Sequence, residues 1–478
     1  MISPVSRALH QRFIYRTLLF LFAGAAYFAQ CACLLGQTTQ QIQQIGDFYH
    51  QRDGFSGEIV VAQRGRIVAE NVYGYANQEL KVPITPDTRF AIASVTKQFT
   101  AACILLLQEE GKLETADPIG LYLSAAPPAW KDVTIRDLLT HTSGITNDVL
   151  SGEPFTQFDH GVHTQQDLID AVRGLPLKNA PGSKFEYNNL GYFLLGAIIE
   201  KVSGQTYAEF LRDHILGPLN MKDTGFGGPP EIISNRAFGY IPVDGKLLDA
   251  DWLDPSVLGA AGAMYSTGAD LTRWIDALEN GRVLKPASLA EMNTPRLEDY
   301  GYGIFIEHQY GAEVIGHNGN LRGWYSQVEF YPHRNSEFVV LSNVSTAGDP
   351  KRSPGTYAVI NELLELEADQ NAITPSSGKE YLLGQAAMLS RTGIYSSDDS
   401  KQKIELTLKR GGLVMRIVGL SDESWPLKAE SAGRFYNTVR DSELEFQGDT
   451  MIFYDYTAET RMIWHRQNSM PQGVPHVH

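Results

Sequence analysis

Residues 90–111 read FAIASVTKQFTAACILLLQEEG. Phe99, Ala102, Cys103, Leu106 and Leu107 recur at helical spacing, and Gly111 after Glu109 and Glu110 is a stop signal. Ser94 opens this helix, which places Lys97 one turn further on a neighbouring face. A free serine hydroxyl is a poor nucleophile, whereas a lysine partly desolvated at a helix start has a lowered pKa and can take its proton. The positive end of the helix also favours the negative charge that develops during attack. The same spacing recurs at Ser376 with Lys379 and at Ser400 with Lys403, so spacing alone does not separate a reactive pair from a helix cap beside a surface lysine. The surroundings have to decide.

Upstream of this helix, a polar helical stretch runs over Thr38 to His50, followed by Gly57 to Ala62 and Ile67 to Tyr73 flanking Arg64 and Gly65, the pattern of a strand hairpin. Downstream, helical patterns dominate from Asp132 to about Gly281, broken by Gly and Pro loops. Strand patterns return at Glu313 to Ile315, Tyr325 to Tyr331 and Glu337 to Ser342, and a helix is expected from about Pro354 to Glu367. A mainly helical insertion between strand-rich ends implies one two-lobed α/β (α+β) unit over residues 37–370, its end strands sharing a sheet. Residues 371–379, within the polar stretch Asp369 to Lys379, read as a linker. Beyond it, alternating runs at Ile404 to Leu408, Leu413 to Val418, Leu444 to Phe446, Met451 to Tyr456 and Met462 to Trp464 predict a small antiparallel, β-barrel-like domain over residues 380–478.

The chain has 478 residues, 43% hydrophobic, with 40 Lys plus Arg against 55 Asp plus Glu. That is too apolar for disorder, and a net charge of −15 argues against nucleic acid as a partner. The three cysteines Cys31, Cys33 and Cys103 cannot build a disulfide framework or a structural zinc site. Arg7, Arg12 and Arg16 precede an apolar run from Leu18 to about Gly36, the layout of an export signal over residues 1–36. The alternative is a retained anchor through residues 17–36, because the run approaches the ~20 residues a spanning helix needs. Either way the chain is expected in the periplasm or outside the cell, with a membrane contact only if that segment is kept.

Two further clusters carry chemistry. Tyr187, Asn188 and Asn189 lie between the loop at Pro181 and Gly182 and an apolar helix from Leu190 to Val202, so a phenol and a carboxamide two residues apart project together. Alternatively, Tyr187 packs under a helix capped by Asn189. His317, Asn318 and Gly319 follow the strand at Glu313 to Ile315, where backbone donors can face an oxyanion and glycine allows close approach. A histidine in a hairpin turn is the plainer alternative. His160 with His163 and the terminal His476 and His478 make no convincing metal site.

Phe90 to Lys97, Leu138 to Gly144 (LLTHTSG), Pro181 to Tyr192, Gly217 to Met221 and Ala261 to Asp270 together resemble the penicillin-recognising serine hydrolases, which include class C β-lactamases, DD-peptidases, D-amino-acid peptidases and related esterases. The resemblance covers about residues 50 to 365. It implies a β-lactamase-like two-lobed fold with Ser94 as acylated nucleophile, Lys97 as its activating partner and Tyr187 as the base that passes a proton to the leaving group. It further implies that Asn189 contacts the substrate and that the backbone amides of Ser94 and Asn320 form the oxyanion hole. His141 and Ser143 fall in a segment that looks structural. Where many members have Lys-Thr-Gly, this chain has His317, Asn318 and Gly319. At an ordinary pKa near ~6.5 a histidine there is mostly neutral at pH 7.5 and would recognise a substrate carboxylate less well.

The resulting expectation is an exported hydrolase of amide or ester bonds in a small molecule or peptide. The leading substrates are peptides containing D-residues or small esters, without metal or cofactor. The alternatives are a β-lactamase and a weakly catalytic penicillin-binding envelope protein.

Overall fold

The computed structural model describes residues 39–467 apart from 52–53, 125, 147–166, 168, 171–173, 228–231, 244–245, 251–253, 310–311, 346–355, 369–382, 398–401, 410–411, 419–423, 430–431, 438–441 and 456–459. The expected leader, the expected linker, Ser400, His160, His163, His476 and His478 lie outside the described residues.

Six helices position the site: α1 (39–51), α2 (Thr96–Glu109), α3 (Ile135–Leu139), α4 (Asn189–Ser203), α5 (Gly268–Glu279) and α6 (Thr356–Ala368). The expected hairpin forms from β1 (Gly57–Gln63) and β2 (Arg66–Tyr73). Arg64 and Gly65 turn it with φ of 55° and 70°, the handedness a two-residue hairpin loop requires. The later strands are β3 (Phe305–Gln309), β4 (Ala312–Leu321), β5 (Trp324–Tyr331) and β6 (Ser336–Ser342). They join the hairpin in one antiparallel sheet of order β3-β4-β5-β6-β1-β2. β6 closes on β1 from Gly57 opposite Ser342 to Gln63 opposite Ser336, so the two strand-rich ends share a sheet as the sequence implied.

Side chains alternate between the faces of this sheet. Ile59, Val61, Val314, Phe338 and Val340 pack with Ile42, Ile45 and Phe48 of α1 and with Val359, Ile360 and Leu363 of α6. Val60, Ile315, Val328, Val339 and Leu341 face the other way and join the helical lobe. There α2 is buried at every position from Thr96 to Leu107 except Leu106, because the sheet, α4 and α5 enclose it.

The region expected to be mainly helical also contains strands. Gly225–Phe226, Met264–Ser266 and Phe90–Ala91 form a three-stranded sheet, and Tyr240–Val243 pairs with Lys246–Asp249. Runs of two to four residues are too short to show a period of two.

The C-terminal unit is a closed barrel of eight antiparallel strands, from Gly393–Ser396 to Thr460–Arg466, closed by Ser396 opposite His465. Leu406, Met415, Phe435, Leu444, Met451 and Trp464 are among the side chains of its own core. It docks on the sheet face that carries α1 and α6. Ile452 joins that apolar cluster, and Arg434 forms a buried ion pair with Glu362 of α6, the side chains 6% and 4% exposed. The Tyr49 hydroxyl donates to the same Glu362 oxygen at 3.4 Å. The barrel is thus anchored on the side of the sheet opposite α2 and Ser94. Among the described residues no helix is long and apolar enough to cross a membrane.

Removing one partner of a buried ion pair leaves an uncompensated charge, at a cost of about 3–5 kcal/mol. Arg434→Met should therefore lower the unfolding free energy extrapolated from urea titration by that amount, while Arg434→Met combined with Glu362→Leu should recover most of it. Equal destabilisation in the single and double variants would show that the pair does not hold the barrel in place.

Candidate active site

Ser94 is not the cap of α2. It lies in a single 3-10 turn, Ala93–Val95, and Val95 is the residue that precedes the helix. Ala93 has a φ of 46°, a left-handed conformation that costs a non-glycine residue roughly 1–2 kcal/mol. The surroundings enforce it. The Ile92 carbonyl accepts from Ser326 Oγ of β5 at 2.7 Å, and the Ile92 amide donates to Met264 O at 3.0 Å. β4 passes so closely that a Cβ on Gly319 would come within 2.3 Å of Ile92 O and 3.0 Å of the Ala93 Cβ. No larger residue fits there, which answers why glycine stands at 319.

Lys97, fully buried, lies under the serine. Its Nζ is 3.0 Å from Ser94 Oγ, 2.8 Å from Asn189 Oδ1 and 2.9 Å from Ala261 O. None of the three partners carries a charge. Burial therefore pushes the amine well below the ordinary lysine range. The faces of Tyr187 and Tyr192, with centroids 4.7 and 5.5 Å from Nζ, favour an ammonium by about 0.5–2 kcal/mol. A buried charge without a counter-ion costs several kcal/mol, so the neutral amine prevails. Its proton pattern then follows. Asn189 Oδ1 and Ala261 O can only accept, so they take the two N–H groups, and the lone pair is left facing the Ser94 hydroxyl.

Tyr187 and Asn189 come from one turn at the start of α4, as the spacing of two predicted. Asn189 is the first helical residue, and the cap is Asn188, whose side chain accepts from the Gly191 amide at 3.1 Å and donates to Ile145 O at 2.6 Å. The Tyr187 phenol hydrogen-bonds with Ser94, and burial pushes its pKa above the ordinary tyrosine value, so the resting phenol keeps its proton.

His317 corrects an expectation. It lies within β4 rather than in a turn after a strand, opposite Val328 of β5, and its ring is 2% exposed. Nε2 is 3.1 Å from the Tyr300 hydroxyl and Nδ1 is 2.5 Å from Asn318 O. Burial holds its pKa down at about 3. It is therefore neutral throughout the physiological range, and neither ring nitrogen is left over for a substrate. β3 pairs with β4 only as far as Gly316, opposite Phe305. Past that point β4 has β5 on one side, and Asn320 is exposed, its Oδ1 accepting from Ser345 Oγ at 3.1 Å.

His141, which the sequence marked as structural only, and Tyr300, which it did not mark, complete the floor of the site. His141, fully buried with a φ of 56°, stacks against Tyr187 at 4.3 Å between ring centroids. Its Nδ1 accepts from the Asn188 amide at 3.0 Å, and its carbonyl accepts from the Glu186 amide at 2.8 Å. Tyr300, also fully buried, places its hydroxyl 3.2 Å from His141 Nε2. Beside them a cavity of about 660 Å³ is lined by Phe185, Phe305, Glu298, Asp299, Glu307, His308 and Gln309. Among the described residues no cluster of three or more His, Cys, Asp or Glu is placed to hold a metal ion.

Comparison with known proteins is consistent with this geometry. Protein flp of Staphylococcus aureus (strain MW2) is 30% identical over 336 residues, 66% of this chain and 66% of that protein, so the chain spans just under two thirds of its length. Penicillin-binding protein 4* of Bacillus subtilis (strain 168) is 27% identical over 432 residues, 85% of this chain and 93% of that one. The crystal structure of D-amino acid amidase from Ochrobactrum anthropi SV3 superposes with a TM-score of 0.62 at 30% identity, covering 70% of this chain and 99% of the amidase. The Beta-lactamase family matches residues 39–360, a span that takes in every element bringing a side chain to Ser94, and the chain belongs to that family of serine hydrolases.

Proposed function

We propose that the protein is an exported hydrolase that cleaves amide or ester bonds through an acyl-enzyme, with small D-amino-acid amides or peptides as its preferred substrates. The observation that carries this reading is the buried Lys97 amine held between Ser94 Oγ, Asn189 Oδ1 and Ala261 O. Ser94 Oγ attacks the substrate carbonyl carbon as its proton passes to Lys97 Nζ. The oxyanion lies against the amides of Ser94 and Asn320, and Asn189 Nδ2 contacts the substrate. Collapse breaks the C–N or C–O bond, the Tyr187 phenol protonates the leaving group, and the Lys97 proton restores the phenol. Water then takes the leaving group's place and releases the acyl chain. Gly319 keeps β4 against the serine turn, and His317 supports the site from beneath.

The substrate class rests on the 660 Å³ cavity, where Glu298, Asp299 and Glu307 favour a free amine on the substrate and Phe185 and Phe305 favour an apolar side chain. The solved relative named D-amino acid amidase points the same way. A location in the envelope or outside the cell is supported by the apolar run after Arg7, Arg12 and Arg16 and by relatives named penicillin-binding proteins. A β-lactamase is the lesser reading, because buried neutral His317 supplies no cation for the substrate carboxylate. The panel that tests the proposal is D- and L-alanine anilides, their N-acetyl forms, p-nitrophenyl esters and a chromogenic cephalosporin. Free-amine D-anilides should be turned over best, and a preference for the N-acetyl forms or the cephalosporin would overturn this substrate class.

Ser94→Ala should lower kcat by roughly 10⁴-fold or more while the protein keeps its circular dichroism spectrum. A fluorophosphonate probe should label the wild type at Ser94 and nowhere else.

The lowered pKa of Lys97 has a sign that kinetics can read. Protonation removes the lone pair that accepts the serine proton, so kcat/KM for a neutral ester should fall as pH drops through the Lys97 pKa. Because burial holds that pKa well below the ordinary lysine value of 10.5, the profile should level off at a lower pH than an ordinary lysine would allow. His317 titrates near 3 and should add no inflection between pH 5.5 and 8.5. A rate still climbing tenfold per pH unit at pH 9 would contradict a desolvated amine.

A further inference from the structure

A line of buried hydrogen bonds crosses beneath the site from the start of α4 to β4. The contacts run from Asn188 N to His141 Nδ1 at 3.0 Å, from His141 Nε2 to Tyr300 Oη at 3.2 Å, from Tyr300 Oη to His317 Nε2 at 3.1 Å and from His317 Nδ1 to Asn318 O at 2.5 Å. All three side chains are 2% exposed or less. A backbone amide can only donate, so His141 Nδ1 is bare and His141 carries its proton on Nε2. A carbonyl can only accept, so His317 carries its proton on Nδ1 and leaves Nε2 bare. One arrangement satisfies every member: His141 Nε2–H donates to the Tyr300 oxygen, and the Tyr300 hydroxyl donates to His317 Nε2. Tyr192, whose ring lies 5.1 Å from that of His141, has its own proton committed to Leu139 O at 2.7 Å. Its oxygen is a second partner of the Tyr300 hydroxyl, so donation to His317 is the choice that leaves no imidazole nitrogen without a proton donor.

We infer that His141, Tyr300 and His317 form a one-directional hydrogen-bonded brace that holds the Tyr187–Asn189 turn of the helical lobe at a fixed distance from the β4 strand beside Ser94. The two histidines are positioning residues and take no part in acid–base chemistry. Both ends of the line are backbone groups, so no proton can enter or leave along it, which separates a brace from a proton relay. Lys97, Tyr187 and Tyr192 are the titratable groups packed against it, and none is an anion that would stabilise an imidazolium. Adding a proton to His141 would put a donor against the Asn188 amide, and adding one to His317 would turn the Tyr300 hydroxyl away from it.

The inference rests on the serine hydrolase reading for its kinetic consequence and is independent of it for its chemistry. In the full chain carrying ¹⁵N-labelled histidine, two-bond ¹H–¹⁵N spectra of the wild type should contain one buried ring protonated at Nε2 and one at Nδ1, both neutral and unchanged from pH 5.5 to 8.5. Tyr300→Phe keeps the ring volume and removes the shared hydroxyl. It should move those two signals and leave the other histidines in place. The same variant should lower kcat on the best substrate of the panel by roughly tenfold to a hundredfold, as expected for misplacement of reacting groups, with KM within about twofold. A His317 ring protonated at Nε2, or titration of either ring in that pH range, would overturn the brace. So would Tyr300→Phe with unmoved histidine signals. Because the wild-type spectrum decides the tautomers alone, a poorly folding variant does not rescue the idea, and absence of turnover in the wild type would count against the proposed function and not against the brace.

Discussion

Everything near Ser94 is arranged around an amine that has been taken out of water without a counter-ion. Lys97 has three uncharged hydrogen-bond partners and no access to solvent. An ammonium in that setting is destabilised by more than the neighbouring aromatic faces return, so burial holds the amine well below the ordinary lysine range. The packing that achieves this is not local to the catalytic turn. Gly303, at a φ of 72°, lies so close that a Cβ would come within 2.5 Å of Lys97 O. Ala261 enters from the segment before α5, and Asn189 from α4. Dryness at one nitrogen therefore depends on segments from residue 94 to residue 303.

The same logic explains the neutral histidines. A positive ring at 141 or 317 would stand in a site that already excludes charge, and both residues are pushed well down by burial. Where an exposed lysine in this part of the sheet would have supplied a fixed cation, the chain has an imidazole whose two nitrogens are used internally. The polar groups left open lie at the rim: the edge of β4 near Asn320 and the acidic cavity beside Phe185 and Phe305.

Much of this was legible in the sequence, for physical reasons that differ from case to case. The α2 helix, the β1–β2 hairpin and β4 to β6 were legible as apolar runs bounded by Gly or polar turns, because they form the interior of the domain. Ser94 with Lys97 and Tyr187 with Asn189 were visible as short-range spacings and became specific through family resemblance. His141 and Tyr300 gave no such signal, since they meet across 159 residues and only the folded chain brings their polar atoms together. The cap of α4 was placed one residue late, because two asparagines stand side by side and either can cap. The barrel was recognised from five alternating runs. Gly393–Ser396, Trp425–Ala429 and Arg434–Asn437 were missed because runs of four or five residues are too short to show a clear alternation.

The pairing of β1 with β6 joins residues 57–63 to residues 336–342, so the central sheet cannot close until some 280 residues between them have been made and gathered in. Contacts of such high sequence separation form late and slowly, because the entropy of closing the intervening loop has to be met first. Before closure, neither Gly319 nor Ser326 holds the Ala93 turn, and Lys97 remains in water with its charge. The dry setting of Lys97 is thus a property of the completed fold and of no part of the chain made before it.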